Sequence, residues 1–209
     1  LPIYPNEVLD SIGSDALRWF LVSSPVLKGG NLAVDKEGKE IAKASRVAQI
    51  PLWNAFYFFT LYANAEEYKA KEIASSPEAI DNYILSKLKH LGEVVKTGLE
   101  TYDVSLATNE LANFMEVLNN WYIRRTRDRF WEGNANAFDT LYTVLVNVCK
   151  IAAPIMPFLC EYVFKALTGE ESVHLTDYPS LSGINYDEEL VNTMDFVQDL
   201  CSTGKFIRE

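Results

Sequence analysis

The sequence predicts an all-α protein, an antiparallel bundle of about five main helices, and three observations carry that expectation. Apolar residues recur at three- and four-residue spacing through most of the 209 residues. Helix start and stop signals punctuate these stripes and leave room only for short connections. Hydrophobic residues make up 48% and aromatic residues 12% of the chain, enough to fill a shared core.

Asn6 to Ser24 reads as a helix interrupted early: Val8, Leu9 and Ile12 precede Gly13, and Ser14 is placed to cap the run that starts at Asp15. Asp15 and Arg18 stand one turn apart, the spacing of an ion pair within a helix. Pro25 and Gly29-Gly30-Asn31 end the segment. From Asp35, a stripe of Ile41, Ala44, Ala48, Leu52, Ala55, Phe56, Phe59 and Tyr62 predicts a second helix, which Pro51 should kink without ending.

Ser76-Pro77-Glu78 combines a capping hydroxyl, a proline suited to the first helical position and an acid at the positive dipole end, so a helix should run from there to about Thr101. Asp103 can cap the next one, whose stripe of Leu106, Leu111, Phe114, Leu118 and Trp121 continues to Trp131 before Gly133 closes it. Ala137 to Ala153 is a further helix. Pro154 and Pro157 force a bend, and Phe158 to Leu167 follows with Gly169 as C-cap. Ser172 to Pro179 reads as an extended connector, and Asp187 to Arg208 returns to the helical pattern.

Composition narrows function by exclusion. The longest nearly uncharged stretch, Ile151 to Cys160, is too short to span a membrane and is broken by two prolines. The N-terminus has neither signal-peptide character nor an initiator Met, so the chain is expected to be a piece of a longer protein. Cys149, Cys160 and Cys201 form no C-x-x-C pair and read as reduced core thiols of a metal-free, cytoplasmic domain. His90 and His174 lack metal-ligand spacing and read as structural or solvent-facing. Phosphate-cradling G-x-x-x-x-G-K, dinucleotide and nucleophile-elbow motifs are absent, so no catalytic residue and no metal ligand is assigned.

A net charge of -10 argues against non-specific nucleic-acid binding, because that mode neutralises many phosphates. One local feature runs the other way. Between Asn119 and Trp131, Arg124, Arg125, Arg127 and Arg129 crowd together with Trp121 and Trp131. Arginine forks engage phosphates and base edges while unpaired bases stack on aromatic rings, so this patch suits single-stranded RNA.

Helical phase at about 100° per residue places Arg125 and Arg129 on the side of Phe114, Leu118 and Trp121, where they would need carboxylate partners from neighbouring helices. Arg124, Arg127 and Asn120 project away from the stripe and are the first-choice RNA contacts. Trp121, at the stripe centre, reads as core, and Trp131 as exposed.

Several runs resemble a known family. Gly13-Ser-Asp-Ala-Leu-Arg-Trp-Phe-Leu-Val-Ser-Ser-Pro25 is similar to the segment downstream of the Lys-Met-Ser-Lys-Ser loop of class I aminoacyl-tRNA synthetases. The runs Leu52 to Phe59, Asn120-Trp-Tyr-Ile-Arg-Arg125, Ala153-Pro-Ile-Met-Pro-Phe-Leu159 and Ser172-Val-His-Leu-Thr-Asp-Tyr-Pro179 together resemble the isoleucyl-tRNA synthetases; the Ala153 run is shared with the valine, leucine and methionine enzymes, and the Asn120 and Ser172 runs favour isoleucine. The resemblance implies a remnant of the segment after the catalytic domain (1–34), a helical anticodon-binding domain (35–180) and the start of a C-terminal helical extension (181–209). It implies an isoleucine tRNA as partner, together with the catalytic and editing domains of the parent chain. It also implies that ATP and Mg serve the parent enzyme and not this piece, which lacks the His-Ile-Gly-His and Lys-Met-Ser-Lys-Ser motifs. A valyl or leucyl enzyme would show much of the same proline pattern, and a non-enzymatic helical interaction module would explain everything except the clustered arginines.

Overall fold

The computed structural model describes residues 5–32 and 38–208, and every regular element among them is helical. In chain order these are α1 (Pro5–Ile12), α2 (Ser14–Ser23), α3 (Lys39–Ser45), α4 (Gln49–Ala65), α5 (Ala79–Glu100), α6 (Val104–Glu116), α7 (Arg124–Trp131), α8 (Ala135–Ala152), α9 (Pro157–Thr168) and α10 (Glu188–Arg208). A π segment, Val117–Ile123, joins α6 and α7 into one continuous rod. None of the described helices is long and apolar enough to cross a membrane. The expected helix start at Asp35 lies outside the described residues.

One continuous core unites the long helices, from Trp19 on α2 through Leu52, Leu88, Phe114, Phe138 and Phe164 to Ile184 before α10. Asp103 caps α6 by accepting from the Leu106 amide, and Asn134 caps α8 by accepting from the Ala137 amide. Gly133 and Gly169 take positive φ values of 70° and 71° where their helices stop, conformations that cost glycine no Cβ clash.

Four local expectations change. Pro51 does not kink a long helix; the chain breaks at residues 46–48, and Pro51 falls in the first turn of α4, where its missing N–H costs no helical bond. The helix expected from Ser76 starts at Ala79. Ser76 accepts from the Glu78 amide and donates to Asp81 Oδ2 at 2.7 Å, so its hydroxyl is drawn into a buried network instead of capping α5. The extended connector holds a short 3-10 turn at Val173–Leu175.

Finally, Asp15 and Arg18 do not pair with each other. Arg18 donates to the Pro154 and Ile155 carbonyls at 2.8 and 3.3 Å, and Asp15 accepts from the Leu159 amide at 2.8 Å and the Phe158 amide at 3.4 Å. The proline bend strips intrahelical partners from the end of α8 and the start of α9. A cation suits the first and a carboxylate the second.

Between α4 and α5, residues 68–75 form a strap with no regular structure, laid along α8. Its Lys71 amide donates to Asp139 Oδ1 at 3.0 Å and its Ile73 amide to Thr143 Oγ1 at 2.9 Å, while Asn147 donates to Glu72 at 2.8 Å. Three α8 side chains one turn apart thus satisfy the strap. This return path lets α4 run alongside the α6–α7 rod in the same direction: Asn119 reaches the Pro51 carbonyl, Phe58 packs on Phe130 and Tyr62 on Trp131.

Candidate nucleic-acid interface

The π segment decides where the arginines point. Residues 114, 118, 122, 126 and 130 are all buried, a strict four-residue repeat. An α-helix would let such a stripe drift about 40° per step, about 160° by Phe130; one extra residue per turn in the π segment returns about 100° of that. Beyond Trp121, which stays buried, the core-facing positions therefore shift by one, from the 125 and 129 expected of an uninterrupted helix to Thr126 and Phe130, with Tyr122 fully buried before them.

Arg125 is corrected by this shift. It is exposed, not on the core side, and its guanidinium carbon lies 4.7 Å from the Trp121 ring centroid. Arg129 stays at the edge of the core, and its expected carboxylate partner is Asp81 of α5. The guanidinium forks both carboxylate oxygens, each at 2.8 Å, with the Arg129 side chain 19% exposed and that of Asp81 0%. Tyr122 also donates to Asp81 Oδ1 at 2.8 Å. Burial, together with the Asp81 charge and its hydrogen bond, pushes the Tyr122 hydroxyl well above its ordinary range, while the Asp81 hydrogen bond raises that of Arg129. Arg129 is thereby a fastener at the edge of the core, the structural role its helical phase allowed.

Arg124, Arg127 and Asn120 are exposed as expected, and neither arginine forms an ion pair with a carboxylate among the described residues. Trp121 is 8% exposed, and its indole N–H is buried without a hydrogen-bond partner among the described residues. Trp131 is 75% exposed, beside Tyr62. His90 and His174 are partly exposed, and each has an acidic neighbour that sequence spacing does not reveal: Glu110 at 3.9 Å and Glu161 at 4.0 Å. Among the described residues no group of three or more His, Cys, Asp or Glu side chains is placed to hold a metal ion.

Two abutting clefts flank the rod and share Glu116 and Asn120. One, of about 460 Å³, lies toward α4 and is lined by Arg46, Asn54, Asn113, Asn119 and Asn120. The other, of about 390 Å³, lies toward α10 and is lined by Trp121, Arg124, Arg125, Gln198 and Ser202. Arg46, Asn54, Asn113 and the α10 pair Gln198 and Ser202 escape sequence reasoning because they lie on segments far apart in the chain and reach the clefts only through tertiary packing. The doubled Asn119-Asn120 is the one signal in the sequence that could have pointed to an amide-lined groove. The α4 face beside the first cleft exposes Ile50, Trp53, Tyr57 and Leu61, and Trp53 extends onto Tyr162 of α9.

Residues 81–209 match the family described as the anticodon-binding domain of tRNA ligase, and the chain belongs to that family. Within it, the chain is 48% identical to an isoleucine–tRNA ligase from Leifsonia xyli subsp. xyli, over 99% of its own length and 19% of that protein's. It is 46% identical to the isoleucine–tRNA ligase of Corynebacterium efficiens and 43% identical to that of Mycobacterium tuberculosis, again over 99% of the chain and 20% of each relative. The chain thus spans about a fifth of the length of the relatives it matches. Among solved structures, its fold resembles part of the ternary complex of Agrobacterium radiobacter K84 agnB2 LeuRS, tRNA and LeuAMS. The TM-score is 0.63 at 17% identity, over 90% of this chain and 21% of that one.

Proposed function

We propose that this chain receives the anticodon stem and loop of an isoleucine tRNA, as the anticodon-binding part of an isoleucine–tRNA ligase. The observation that carries the reading is the row of Arg124, Arg125 and Arg127, without a carboxylate partner among the described residues, beside the Asn120 groove on a protein whose net charge is -10. Local positive charge on an acidic protein favours a shaped, single-stranded target over duplex backbone. The similarity to isoleucine–tRNA ligases supports the amino-acid assignment over a valyl or leucyl one.

For the parent we propose ATP- and Mg-dependent activation of isoleucine as its adenylate, followed by transfer to the terminal ribose of the tRNA. Residues 1–34 would follow the catalytic domain, 35–180 form the receiving domain and 181–209 lead into a C-terminal extension. In this division Arg124, Arg125, Arg127, Asn120 and Trp131 meet the RNA, while Trp121 backs Arg125. Holding a tRNA by its far end tethers the acceptor end as a reactant, and a mismatched loop forfeits that tethering.

Titration of the chain with isoleucine tRNA and a non-cognate tRNA, each at two salt concentrations, tests the reading. Cognate binding should weaken as salt rises, and Arg124→Ala or Arg127→Ala should lower both affinity and the salt slope, the latter by about 1 per lost phosphate contact, with helicity kept. Unchanged affinity in both variants would sink the assignment of these residues.

A further inference from the structure

We propose that the cleft between the π segment and α10 is a nucleotide subsite: it seats one unpaired RNA nucleotide, with the phosphate on Arg124 and the base on the free face of the Arg125 guanidinium. The proposal rests on the RNA-binding reading above and makes α10 a working wall of the interface.

The Arg125 guanidinium already lies over the Trp121 ring, its Cζ 4.7 Å from the centroid, and Arg125 is exposed and lines the cleft, which leaves its solvent side for a base. Splayed-out bases stack on guanidinium planes in this way. Because stacking on Trp121 has already ordered the side chain, less rotamer freedom is lost when a ligand arrives. Trp121 itself lines the cleft, and its buried indole N–H lacks an acceptor among the described residues, an uncommon condition in a folded protein.

Two side chains of α10, one turn apart, complete the wall. The Tyr83 hydroxyl donates to Asp195 Oδ1 at 2.6 Å and only grazes the Gln198 amide oxygen at 3.5 Å, which leaves the Gln198 amide to face a ligand. The Ser202 hydroxyl donates to the Gln198 carbonyl at 2.9 Å, so toward a ligand it can only accept. A ribose 2′-hydroxyl supplies the donor that DNA lacks. Glu116 is the one acid on the wall, and two arginines outweigh it. The volume of about 390 Å³ falls in the small-ligand range of about 300–1,000 Å³.

The cleft carries its own reporter. Cys201 lines it and is partly exposed, whereas Cys149 and Cys160 are buried, and burial, with Cys149 alongside, pushes the Cys160 thiol well up. Brief iodoacetamide treatment of the folded chain therefore reads Cys201 alone. The rate would be measured with the isoleucine tRNA anticodon stem-loop as RNA, with the same loop as DNA, and with inorganic phosphate.

At about ten times its Kd, the RNA should slow Cys201 alkylation about tenfold, the DNA should protect less at equal concentration, and phosphate not at all. Arg124→Ala combined with Gln198→Ala should abolish protection, measured against that variant's own unliganded alkylation rate. If RNA binds but leaves Cys201 as reactive as before, the subsite is refuted while the broader RNA reading stands; if no RNA binds, both fall. Protection by phosphate alone, equal protection by RNA and DNA, or protection that survives the double substitution would each overturn the proposal.

Discussion

Replacing Asp81 by Ala should be the most damaging single change in this chain. Its buried carboxylate gathers the Arg129 fork, the Tyr122 hydroxyl and the Ser76 hydroxyl, tying α5 and the end of the strap to both sides of the π-to-α junction. Removing it leaves a guanidinium that is largely buried without its partner, a loss of about 3–5 kcal/mol. Because the Arg129 side chain keeps 19% exposure and can reach water, the lower end, about 3 kcal/mol, is expected. In a domain of this size about 1 kcal/mol moves the melting temperature by 2–4 °C, so a drop of about 6–12 °C should appear in a thermal melt followed by circular dichroism.

Tyr122→Phe, which removes one of the four hydrogen bonds, should cost about 1 kcal/mol. Asp81→Leu combined with Arg129→Met removes both charges and should recover most of the loss, since buried ion pairs and apolar pairs of similar volume are near equivalent. If Asp81→Ala melts within 2 °C of Tyr122→Phe, a shift of less than about 1 kcal/mol, then Arg129 is content in solvent and the network is not what fixes the arginine-bearing segment.

Other outcomes follow from the same structure. Gly98→Ala should destabilise by about 1–3 kcal/mol in urea unfolding, because the new Cβ would sit 2.9 Å from the Asp103 carbonyl and 3.1 Å from the Ala107 amide, backbone atoms that cannot swing aside. Deleting Asn120 should convert the π segment to α-helix yet keep Tyr122, Thr126 and Phe130 on the buried face, because the lost residue and the lost wide turn offset each other, so unfolding should stay cooperative when followed by near-ultraviolet dichroism. Asp15→Ala should cost about 1 kcal/mol through loss of the α9 cap, again by urea unfolding. Burial and then Asp195 raise Tyr83, and burial and then Asp81 raise Tyr122, so the stability these protons contribute is complete below the unfolded tyrosine value of about 10 and is lost as pH rises beyond it. The urea midpoint should therefore hold up to about pH 10 and fall as pH rises further, and fall less in Tyr83→Phe.

Much of this was legible in the chain because helix signals are local. Asp103, Gly133, Gly169 and the Pro154–Pro157 bend act through neighbours a few residues away, so their positions survive in the fold. The buried place of Trp121 and the open one of Trp131 likewise follow from the apolar stripe. What escaped is set by distant partners. Nothing near Asp15 and Arg18 reveals that their dipole partners lie more than a hundred residues downstream, and nothing near Arg129 names Asp81. Arg125 was misplaced for a subtler reason: a π insertion has no composition of its own, and one extra residue is enough to turn an inward arginine outward.

The strap over α8 has a consequence for how the molecule opens. Two amides in a segment without helix or strand are bonded to side chains that belong to the best-buried helix of the bundle, whose Asp139, Thr143 and Asn147 are themselves enclosed. Deuterium should reach Lys71 and Ile73 only when α8 lets go. The stretch from Tyr68 to Ser75 should therefore exchange on the slow clock of global unfolding and resist proteases that cut ordinary surface loops at once.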